Sequence, residues 1–546
     1  MMTKIGTGTP ISHSSRRETR PARLLRSSRF GNDFMGFLSL VNFSLLSFAD
    51  RMPSLFRNSF LLSKRKFLPE KSRKPPCIAQ AATSLFRKAP DSIALDSIWH
   101  PGKDSTKVER YVMSDPVPLK PTDASSTTRG LPVLAMLSLL IGVVTGLVCG
   151  VFRWLLDASD QGRTTFIAAM HVWSWAGMLL VVGLCAATVA LAAWLVRRFS
   201  PYASGSGIPH VEAVLDGEKH PAPPQLLLVK FSGGLLALGA GLALGREGPS
   251  VQMGASLSYL LGTKFRRSPQ DCLLLLAAGA GAGLSVAFNA PIAGAVFVLE
   301  ELVKRFDTRT TIVTFGASAG AIAAGRMILG SAPDFQVEPL PFSGVSCLPV
   351  SIVLGLLAGI LGVAYNRVIL GVLDLSGRWG HWPVEARAAI IGGAVGLLGW
   401  FAPNLIGGGD ALTQQVLAGS ISSGALAAVL LVRFALGPIS YAARTPGGLF
   451  APLLVLGAQS GLLFGNLCHE FFPGLVTDPL AYAVTGTAAF FAAVVRAPLT
   501  GIILVIELTG SYTQLLPMLA ACFTAMLVPT LLNNTPIYDS LKAKLK

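Results

Sequence analysis

A series of long apolar runs between Leu131 and Leu532 constrains the fold of this chain more than any other feature. Several runs are longer than about 20 residues, the length that an α-helix needs to cross the hydrocarbon core of a bilayer. The runs are Leu131–Leu156, Trp173–Val196, Gln225–Leu244, Cys272–Leu299, Ile312–Met327, Leu348–Leu370, Ala388–Ala402, Ala425–Leu436, Leu449–Phe464, Ala481–Leu508 and Leu515–Leu532. Charged residues make up only 14% of the 546 residues, whereas a soluble protein needs roughly a quarter to cover its surface. The sequence therefore predicts an all-α, polytopic membrane protein.

Glycine and proline interrupt several of these runs at membrane depth, as in Gly205–Pro209, Gly245–Pro249 and Gly447–Pro452. Broken helices are tolerated inside a bilayer only where the freed backbone groups are buried in protein or line a wet cavity. A receptor or a simple anchor has no need of them. A transporter does, because helix N-termini that meet near the midplane can hold an anion.

The interrupted segments occur in two ordered copies, roughly 200 residues apart. The matching pairs are Gly245-Arg-Glu-Gly-Pro249 with Gly448-Leu-Phe-Ala-Pro452, Asn289-Ala-Pro-Ile-Ala-Gly294 with Arg496-Ala-Pro-Leu-Thr-Gly501, and Gly205-Ser-Gly207 with Gly407-Gly-Gly409. In the second pair, Glu300 and Glu507 each follow the motif's proline by nine residues. Chance similarity between Gly/Ala-rich helices could explain one pair, but explains three ordered pairs poorly. The repeat predicts a duplicated fold with a transport site where the copies meet.

Two motifs in the first copy have the chemistry of an anion site. Gly205-Ser-Gly-Ile-Pro209 is a turn into a helix, where backbone N–H groups and the Ser206 hydroxyl can bind a small anion without a full positive charge. The alternative is an ordinary glycine-rich turn. Glu247 lies inside an apolar stretch, where an ionisable residue is costly unless it is paired or functional. Deprotonated, it can occupy an anion site as an internal competitor; protonated, it can leave. The alternative is that Arg246 and Glu247 only neutralise each other.

Other polar residues have two interpretations each. Glu300 and Glu301 end an apolar helix before Lys304 and Arg305, a pattern that on its own favours solvated i,i+4 ion pairs. Glu507, the repeat partner of Glu300, is interpreted as a structural or capping carboxylate.

Two isolated polar residues remain open as well. Tyr538 follows the last apolar run and could donate a phenol O–H, although an interfacial tyrosine is the default interpretation. Lys230 could add positive potential to an anion path, or could snorkel to the membrane interface.

A different class of protein is also conceivable. Gly316-Ala-Ser-Ala-Gly320 matches the G-x-S-x-G pattern of serine hydrolases, with Ser318 as the nucleophile. Such a site needs a general base, and the later histidines, His381 and His469, lie in loop-like sequence. Ser318 is therefore interpreted as a helix-packing residue. The chain is not expected to be an enzyme. The cysteines are scattered without a zinc spacing, and no metal or cofactor is expected.

Taken together, the motifs resemble the CLC family of chloride channels and proton-coupled chloride exchangers, over roughly residues 131–546. The residues that carry the resemblance are Gly205-Ser-Gly-Ile-Pro209, Gly245-Arg-Glu-Gly-Pro249, Ala287-Phe-Asn-Ala-Pro291, Glu300-Glu301, Gly448-Leu-Phe-Ala-Pro452, Arg496-Ala-Pro-Leu-Thr-Gly501 and Tyr538. Each motif alone is weak, whereas the ordered set is specific.

The resemblance implies an inverted repeat of about 18 helices, many broken or partly spanning, in a homodimer with one pathway per subunit. It implies that the side chains of Ser206 and Tyr538 and the backbone N–H groups of Leu449 and Phe450 bind the central chloride. Glu247 then corresponds to the external gating glutamate.

The family pattern also refines the expected activity. It assigns the internal proton transfer to Glu301, the second glutamate of the pair. Serine at position 206 is similar to chloride-preferring members, and retention of Glu301 is similar to exchangers rather than channels. The predicted function is exchange of chloride for protons, and the alternative is a passive voltage- or pH-gated chloride channel. His210 departs from the pattern, because some bacterial exchangers have a glutamate there.

The N-terminal region has a different composition from the rest. Residues 1–130 hold 22 Lys and Arg against 10 Asp and Glu, which is most of the net charge of +16. We interpret 1–130 as a basic, mostly disordered segment at the cytoplasmic surface. The alternatives are a start assigned too early, with Met113 as the true start, and a transit peptide. Residues 131–546 form the predicted transport domain, without C-terminal regulatory domains. The expected location is a bacterial inner membrane, and the basic tail does not indicate nucleic-acid binding.

Overall fold

The computed structural model describes residues 118–119, 130–341, 344–378, 380–474 and 476–545. Nearly all of the predicted 1–130 segment lies outside these residues. The first half of the helical part contains α1 Leu131–Met170, α2 Ser174–Phe199, α3 Ile208–Leu215, α4 Gln225–Gly239, α5 Glu247–Lys264, α6 Pro269–Phe288, α7 Pro291–Phe297, a π-helical turn Val298–Leu302, and α8 Thr308–Leu329. The second half contains α9 Leu348–Arg378, α10 Val384–Phe401, α11 Asp410–Leu417, α12 Ser423–Tyr441, α13 Phe450–Phe471, α14 Pro479–Val495, α15 Pro498–Thr509, α16 Leu515–Leu531 and α17 Ile537–Ala543. The all-α prediction is confirmed.

The two halves repeat the same order of long and short helices. Helix α1 packs on α8 as α9 packs on α16, and α5 packs on α6 as α13 packs on α14. The short helices α3 and α11 occupy equivalent places and have 8 residues each. The predicted duplication is therefore present in the packing as well as in the motifs.

Glycines in the left-handed region begin the short helices in both halves. Gly205 and Gly207 have φ of 64° and 86° before α3, and Gly407 and Gly409 have φ of 79° and 102° before α11. An L-residue with a side chain rarely adopts these angles, so glycine is required at each turn. The interruptions predicted at these motifs are thus built into the backbone.

The broken segments of the two halves meet and exchange backbone hydrogen bonds. The Gly245 N–H donates to Gly448 O at 2.9 Å, and the Gly448 N–H donates to Gly245 O at 2.7 Å. Nearby, the Gly205 N–H donates to Thr445 O at 3.0 Å and the Gly447 N–H donates to Gly205 O at 3.1 Å. These pairings satisfy backbone groups that a broken helix leaves free in an apolar medium.

A reciprocal pair of helix caps also joins the halves. Both carboxylate oxygens of Glu507 accept from the first turn of α7, from Ile292 N at 3.1 Å and Ala293 N at 2.7 Å. Glu300 does the same for α15, accepting from Leu499 N at 3.0 Å and Thr500 N at 2.7 Å. A carboxylate at a helix N-terminus satisfies orphan donors and matches the helix dipole. Glu507 is thus the capping carboxylate that its sequence context favours.

Within the part of the chain that the structure describes, seven helical segments are long and apolar enough to cross a membrane, and α4, α14, α15 and α16 are shorter apolar helices. Large apolar side chains such as Met136, Leu179 and Phe523 are exposed on their outer surfaces. By contrast, 18 of the 20 residues of α6, from Asp271 to Phe288, are buried inside the protein. Exposed apolar surface around a buried helical centre is the arrangement expected of a polytopic protein in lipid.

Helix α6 connects two chemically different faces. Its 20 residues span about 30 Å, the thickness of the hydrocarbon core. At its N-terminal end, Asp271 pairs with Arg309 and, at 3.5 Å, with Arg267. We call this end the basic face, because its loops and the adjoining helix ends contain Lys264, Arg266, Arg267, Lys304, Arg305 and Arg309. At the other end, Ala287 O accepts from Arg246 Nε at 3.0 Å, and we call this end the opposite face.

Candidate functional site

Four helices begin close to one buried point between the two faces. Ser206 precedes α3, Glu247 is the first residue of α5, Phe450 is the first residue of α13, and Tyr538 lies in the first turn of α17. All four residues are fully buried. Because helix N-termini carry partial positive charge and free N–H groups, their convergence makes a site for an anion.

The carboxylate of Glu247 lies on the N-terminus of α13, which belongs to the other half of the repeat. Its Oε1 accepts a hydrogen bond from the Ala451 N–H at 3.0 Å. Its Oε2 has no hydrogen-bond partner among the described residues. A Cβ on Gly245 would lie 2.0 Å from Glu247 Oε1, and one on Gly448 would lie 2.7 Å from it. Both glycines therefore make room for the carboxylate at this place.

Ser206 lies directly against the first turn of α5. A Cβ on Gly248 would approach Ser206 Oγ to 2.6 Å, so only glycine permits this contact. The Ser206 N–H donates to the Tyr441 hydroxyl at 3.3 Å. The Ser206 Oγ itself is buried and finds no partner within the described part of the chain.

Tyr538 is fully buried, so the interfacial interpretation of this residue is wrong. Its ring is 6.0 Å from the ring of Phe450, centroid to centroid, at an interplanar angle of 25°. The ring of Phe450 also contacts Phe491 at 4.8 Å and Phe297 at 5.5 Å. The Tyr538 hydroxyl has no hydrogen-bond partner in the residues that the structure describes. Buried polar groups are normally satisfied, so this one is available to a ligand.

The backbone N–H groups of Leu449 and Phe450 belong to the N-cap and first position of α13. The first N–H groups of an α-helix have no intrahelical partner. They lie beside the Ala451 N–H, which already binds a carboxylate oxygen of Glu247. The start of α13 can therefore bind either this carboxylate or another anion.

Glu301 lies on the side of the basic face. It is 5% exposed and is part of the π-helical turn that follows α7. π-helical turns are rare and are often found at functional sites. Lys304 pairs with Asp539 at 3.6 Å rather than with Glu300. The i,i+4 pairing that the sequence alone favours for Glu300 is therefore wrong, because the carboxylate of Glu300 caps α15 instead.

The two acids lie at different depths. Helix α3 has 8 residues, about 12 Å, and it ends beside Asp216, which pairs with Lys542 at 2.8 Å on the basic face. Helix α5 has 18 residues, about 27 Å, and ends at Lys264 on the same face. Ser206 is therefore in the interior, Glu247 lies beside it and next to Arg246 of the opposite face, and Glu301 lies near the basic face.

Arg246 forms no direct ion pair with Glu247. Its guanidinium pairs with three carboxylates of the opposite face, Asp157 at 3.2 Å, Asp410 at 3.1 Å and Asp334 at 3.5 Å. The mutual neutralisation considered from the sequence is thus wrong. The carboxylate of the neighbouring Glu247 interacts with the N-terminus of α13 instead.

Sequence reasoning missed two residues near the site. Tyr441 supports the backbone of Ser206 through its hydroxyl. Glu212 is 2% exposed on α3, and neither of its carboxylate oxygens has a hydrogen-bond partner among the described residues. An ionisable residue two positions after His210 in an apolar helix was the available signal for Glu212. Nothing in the sequence around Tyr441 marks it.

Ser318 lacks the surroundings of a nucleophile. It is buried on α8, and its hydroxyl has no hydrogen-bond partner within the described ranges. His469 Nδ1 lies 2.6 Å from Val476 O and is engaged there. No described base therefore reaches Ser318.

Comparisons with known proteins agree with this architecture. The family model described as "Voltage gated chloride channel" matches residues 188–530. The H(+)/Cl(-) exchange transporter ClcA of Vibrio cholerae serotype O1 is 38% identical over 415 residues, which are 74% of this chain and 88% of the relative. The same-named protein of Yersinia pestis bv. Antiqua is 36% identical over 425 residues, 76% of this chain and 87% of the relative.

A solved structure is similar over the same region. The crystal structure of a slow cyanobacterial Cl-/H+ antiporter has a TM-score of 0.72 and 32% sequence identity, and the match covers 76% of this chain and 97% of that one. The duplicated broken helices, the converging N-termini and these matches lead to one conclusion. The chain belongs to the voltage gated chloride channel family.

Proposed function

We propose that this chain is a secondary active transporter that exchanges chloride for protons. The observation that carries the proposal is the position of Glu247, whose carboxylate accepts from Ala451 N at the N-terminus of α13. A carboxylate in an anion site can be displaced by chloride when it is protonated, which links the two ions. The names of the Vibrio cholerae and Yersinia pestis relatives support exchange over a passive channel.

Chloride binds where the helices converge. The hydroxyls of Ser206 and Tyr538 donate to it, together with the N–H groups of Leu449 and Phe450. The buried, unpaired state of both hydroxyls supports this assignment. Donors without full positive charge bind an anion and still release it, as transport requires.

Glu247 is the external gate and proton acceptor. Deprotonated, it occupies the anion site at α13 and blocks the pathway. Protonated, its side chain no longer competes with chloride and leaves the site. Its place next to Arg246, which pairs with the exposed carboxylates of Asp157 and Asp410 on the opposite face, supports proton exchange with that side.

Glu301 transfers protons at the internal side. Its position in the π-helical turn near Lys304 and Asp539 places it within reach of the basic face. The hydrogen bonds of both Glu300 oxygens to the N-terminus of α15 support Glu301 over Glu300 for this role.

The proposal extends to assembly and location. We propose a homodimer in a bacterial inner membrane, with the N-terminal segment in the cytoplasm. The excess of Lys and Arg on the loops of the basic face supports this orientation, because short cytoplasmic loops carry most of these residues. Leu119 contacts the same face, with its N–H donating to Leu215 O at 2.8 Å. Chemical crosslinking in vesicles tests the dimer.

Substitution of the two acids tests the mechanism. In proteoliposomes, Glu247→Gln and Glu301→Gln are each expected to abolish chloride-driven proton uptake while chloride flux continues. The matched control is Glu385→Gln, which removes a carboxylate paired with the exposed Arg197 and should exchange like the wild type. Proton uptake that survives in both acid variants would refute the assigned roles.

A further inference from the structure

Lys230 has a buried amino group that the mechanism above does not use. It lies on the apolar helix α4 and is 0% exposed, so it does not snorkel to the membrane interface. Its Nζ donates to Gly205 O at 2.7 Å and to Ala203 O at 3.1 Å. These are carbonyls of the turn that presents Ser206.

Lys230 forms no salt bridge with any carboxylate in the described part of the chain, and its described hydrogen bonds run to the two carbonyls. His210 on α3 interacts electrostatically with Lys230, and an imidazole cannot supply a negative charge. His210 Nδ1 lies 3.5 Å from Gln252 Nε2, and its Nε2 has no described partner. Two backbone carbonyls are therefore the described hydrogen-bond partners of the Lys230 Nζ, and both are dipoles without a full charge.

Such an arrangement is costly without a further partner. A buried ion that lacks an opposite charge is strongly disfavoured in a low-dielectric interior. Gly205 O, which Lys230 binds, belongs to the residue immediately before Ser206. The ammonium therefore sits directly behind the turn that lines the anion site, where an anion would complete its charge balance.

We propose that the anion held at Ser206 is the counter-ion of Lys230, and that Lys230 thereby sets the affinity of the site for chloride. The inference rests on the chloride site of the proposed function. Lys230 acts through the Gly205 backbone and through its field, so it is a positioning and affinity-determining residue rather than a ligand. The absence of a carboxylate at position 210 keeps its charge available to the transported anion.

Chloride affinity of the purified full chain, measured by isothermal titration calorimetry in detergent, tests the inference. Lys230→Met should raise the chloride Kd at least tenfold. His210→Glu should also raise it at least tenfold, because a carboxylate introduced beside Lys230 replaces the anion as its partner. His210→Gln is the matched neutral control and should stay within about threefold of the wild type. The His210 pair keeps the comparison informative if Lys230→Met fails to fold, since it leaves both carbonyl contacts of Lys230 in place.

The outcomes separate this inference from the proposed function. If His210→Glu binds chloride as tightly as His210→Gln, Lys230 does not act by charge and the inference is wrong. If the wild type binds no chloride at all, the proposed function fails as well. A wild-type Kd in Lys230→Met would overturn the inference while leaving exchange intact.

Discussion

Tyr538 and Ser206 are the side chains whose hydroxyls end in the buried space at the helix N-termini. Each hydroxyl lacks a described partner, and a hydrogen bond to a charged acceptor contributes about 1.5–3 kcal/mol. Removing one donor should therefore weaken anion binding by about tenfold or more.

Tyr538→Phe tests this expectation, because it removes the hydroxyl and keeps the ring against Phe450. The chloride Kd measured by calorimetry should rise about tenfold or more. Tyr482→Phe, a buried tyrosine that packs on Phe464 in a different cluster, is the control and should bind like the wild type. Equal Kd values for the two variants would show that Tyr538 is not a ligand.

At the same scale, the sequence identifies some site residues and not others. Glu247 and Ser206 stand out because a charge and a glycine-flanked hydroxyl interrupt apolar sequence. The roles of Glu300 and Glu301 cannot be separated by spacing, since the partner of Glu300 is a helix N-terminus about 200 residues away. The carbonyl contacts of Lys230 likewise depend on a turn formed elsewhere in the chain.

At the scale of helices, the repeat places equivalent glycines where helices touch. A Cβ on Gly254 of α5 would lie 2.2 Å from Gly279 O of α6. The equivalent Cβ on Gly457 of α13 would lie 2.7 Å from Gly486 O of α14. Small residues allow this close approach of membrane helices.

Alanine at either glycine should push its helix pair apart, and overpacking of this kind typically costs about 1–3 kcal/mol. We expect Gly254→Ala and Gly457→Ala each to reduce the yield of monodisperse protein in size-exclusion chromatography. Gly371→Ala is the control, because nothing lies within 4 Å of its added Cβ. Yields equal to that of Gly371→Ala would contradict the tight packing.

The reciprocal caps give a second prediction for elements. The two carboxylate oxygens of Glu507 accept hydrogen bonds from Ile292 N and Ala293 N. Glu507→Gln keeps only one acceptor oxygen for these two N–H groups. The loss should lower stability by about 1–2 kcal/mol, visible as a lower melting temperature in detergent.

Glu385→Gln is the comparison for this cap as well. Its partner Arg197 is 62% exposed, and exposed ion pairs contribute about 0–1 kcal/mol. If both variants melt at the same temperature, the cap contributes no more than a surface ion pair. The breaks in the helices were predictable from glycine and proline, whereas this cross-capping was not, because it depends on how the two halves pack.

For the whole molecule, the duplication brings together two half-sites that are each incomplete. The first half contributes Ser206 and Glu247, and the second contributes the N-terminus of α13 and, beyond it, Tyr538. The motif pairs predicted this symmetry. The depth of each acid was not predictable, because it depends on how α5 and the π-helical turn pack between the two faces.

The central claim is that chloride and a proton compete for one place at the start of α13. Paired recording of chloride and proton flux in proteoliposomes holding the full chain tests it most directly. The account predicts that an imposed chloride gradient drives protons in the opposite direction against their own electrochemical gradient. Both fluxes should stop together when the proton gradient and the membrane potential balance the chloride gradient. Chloride flux that dissipates its gradient without moving protons would contradict the account and establish a passive channel.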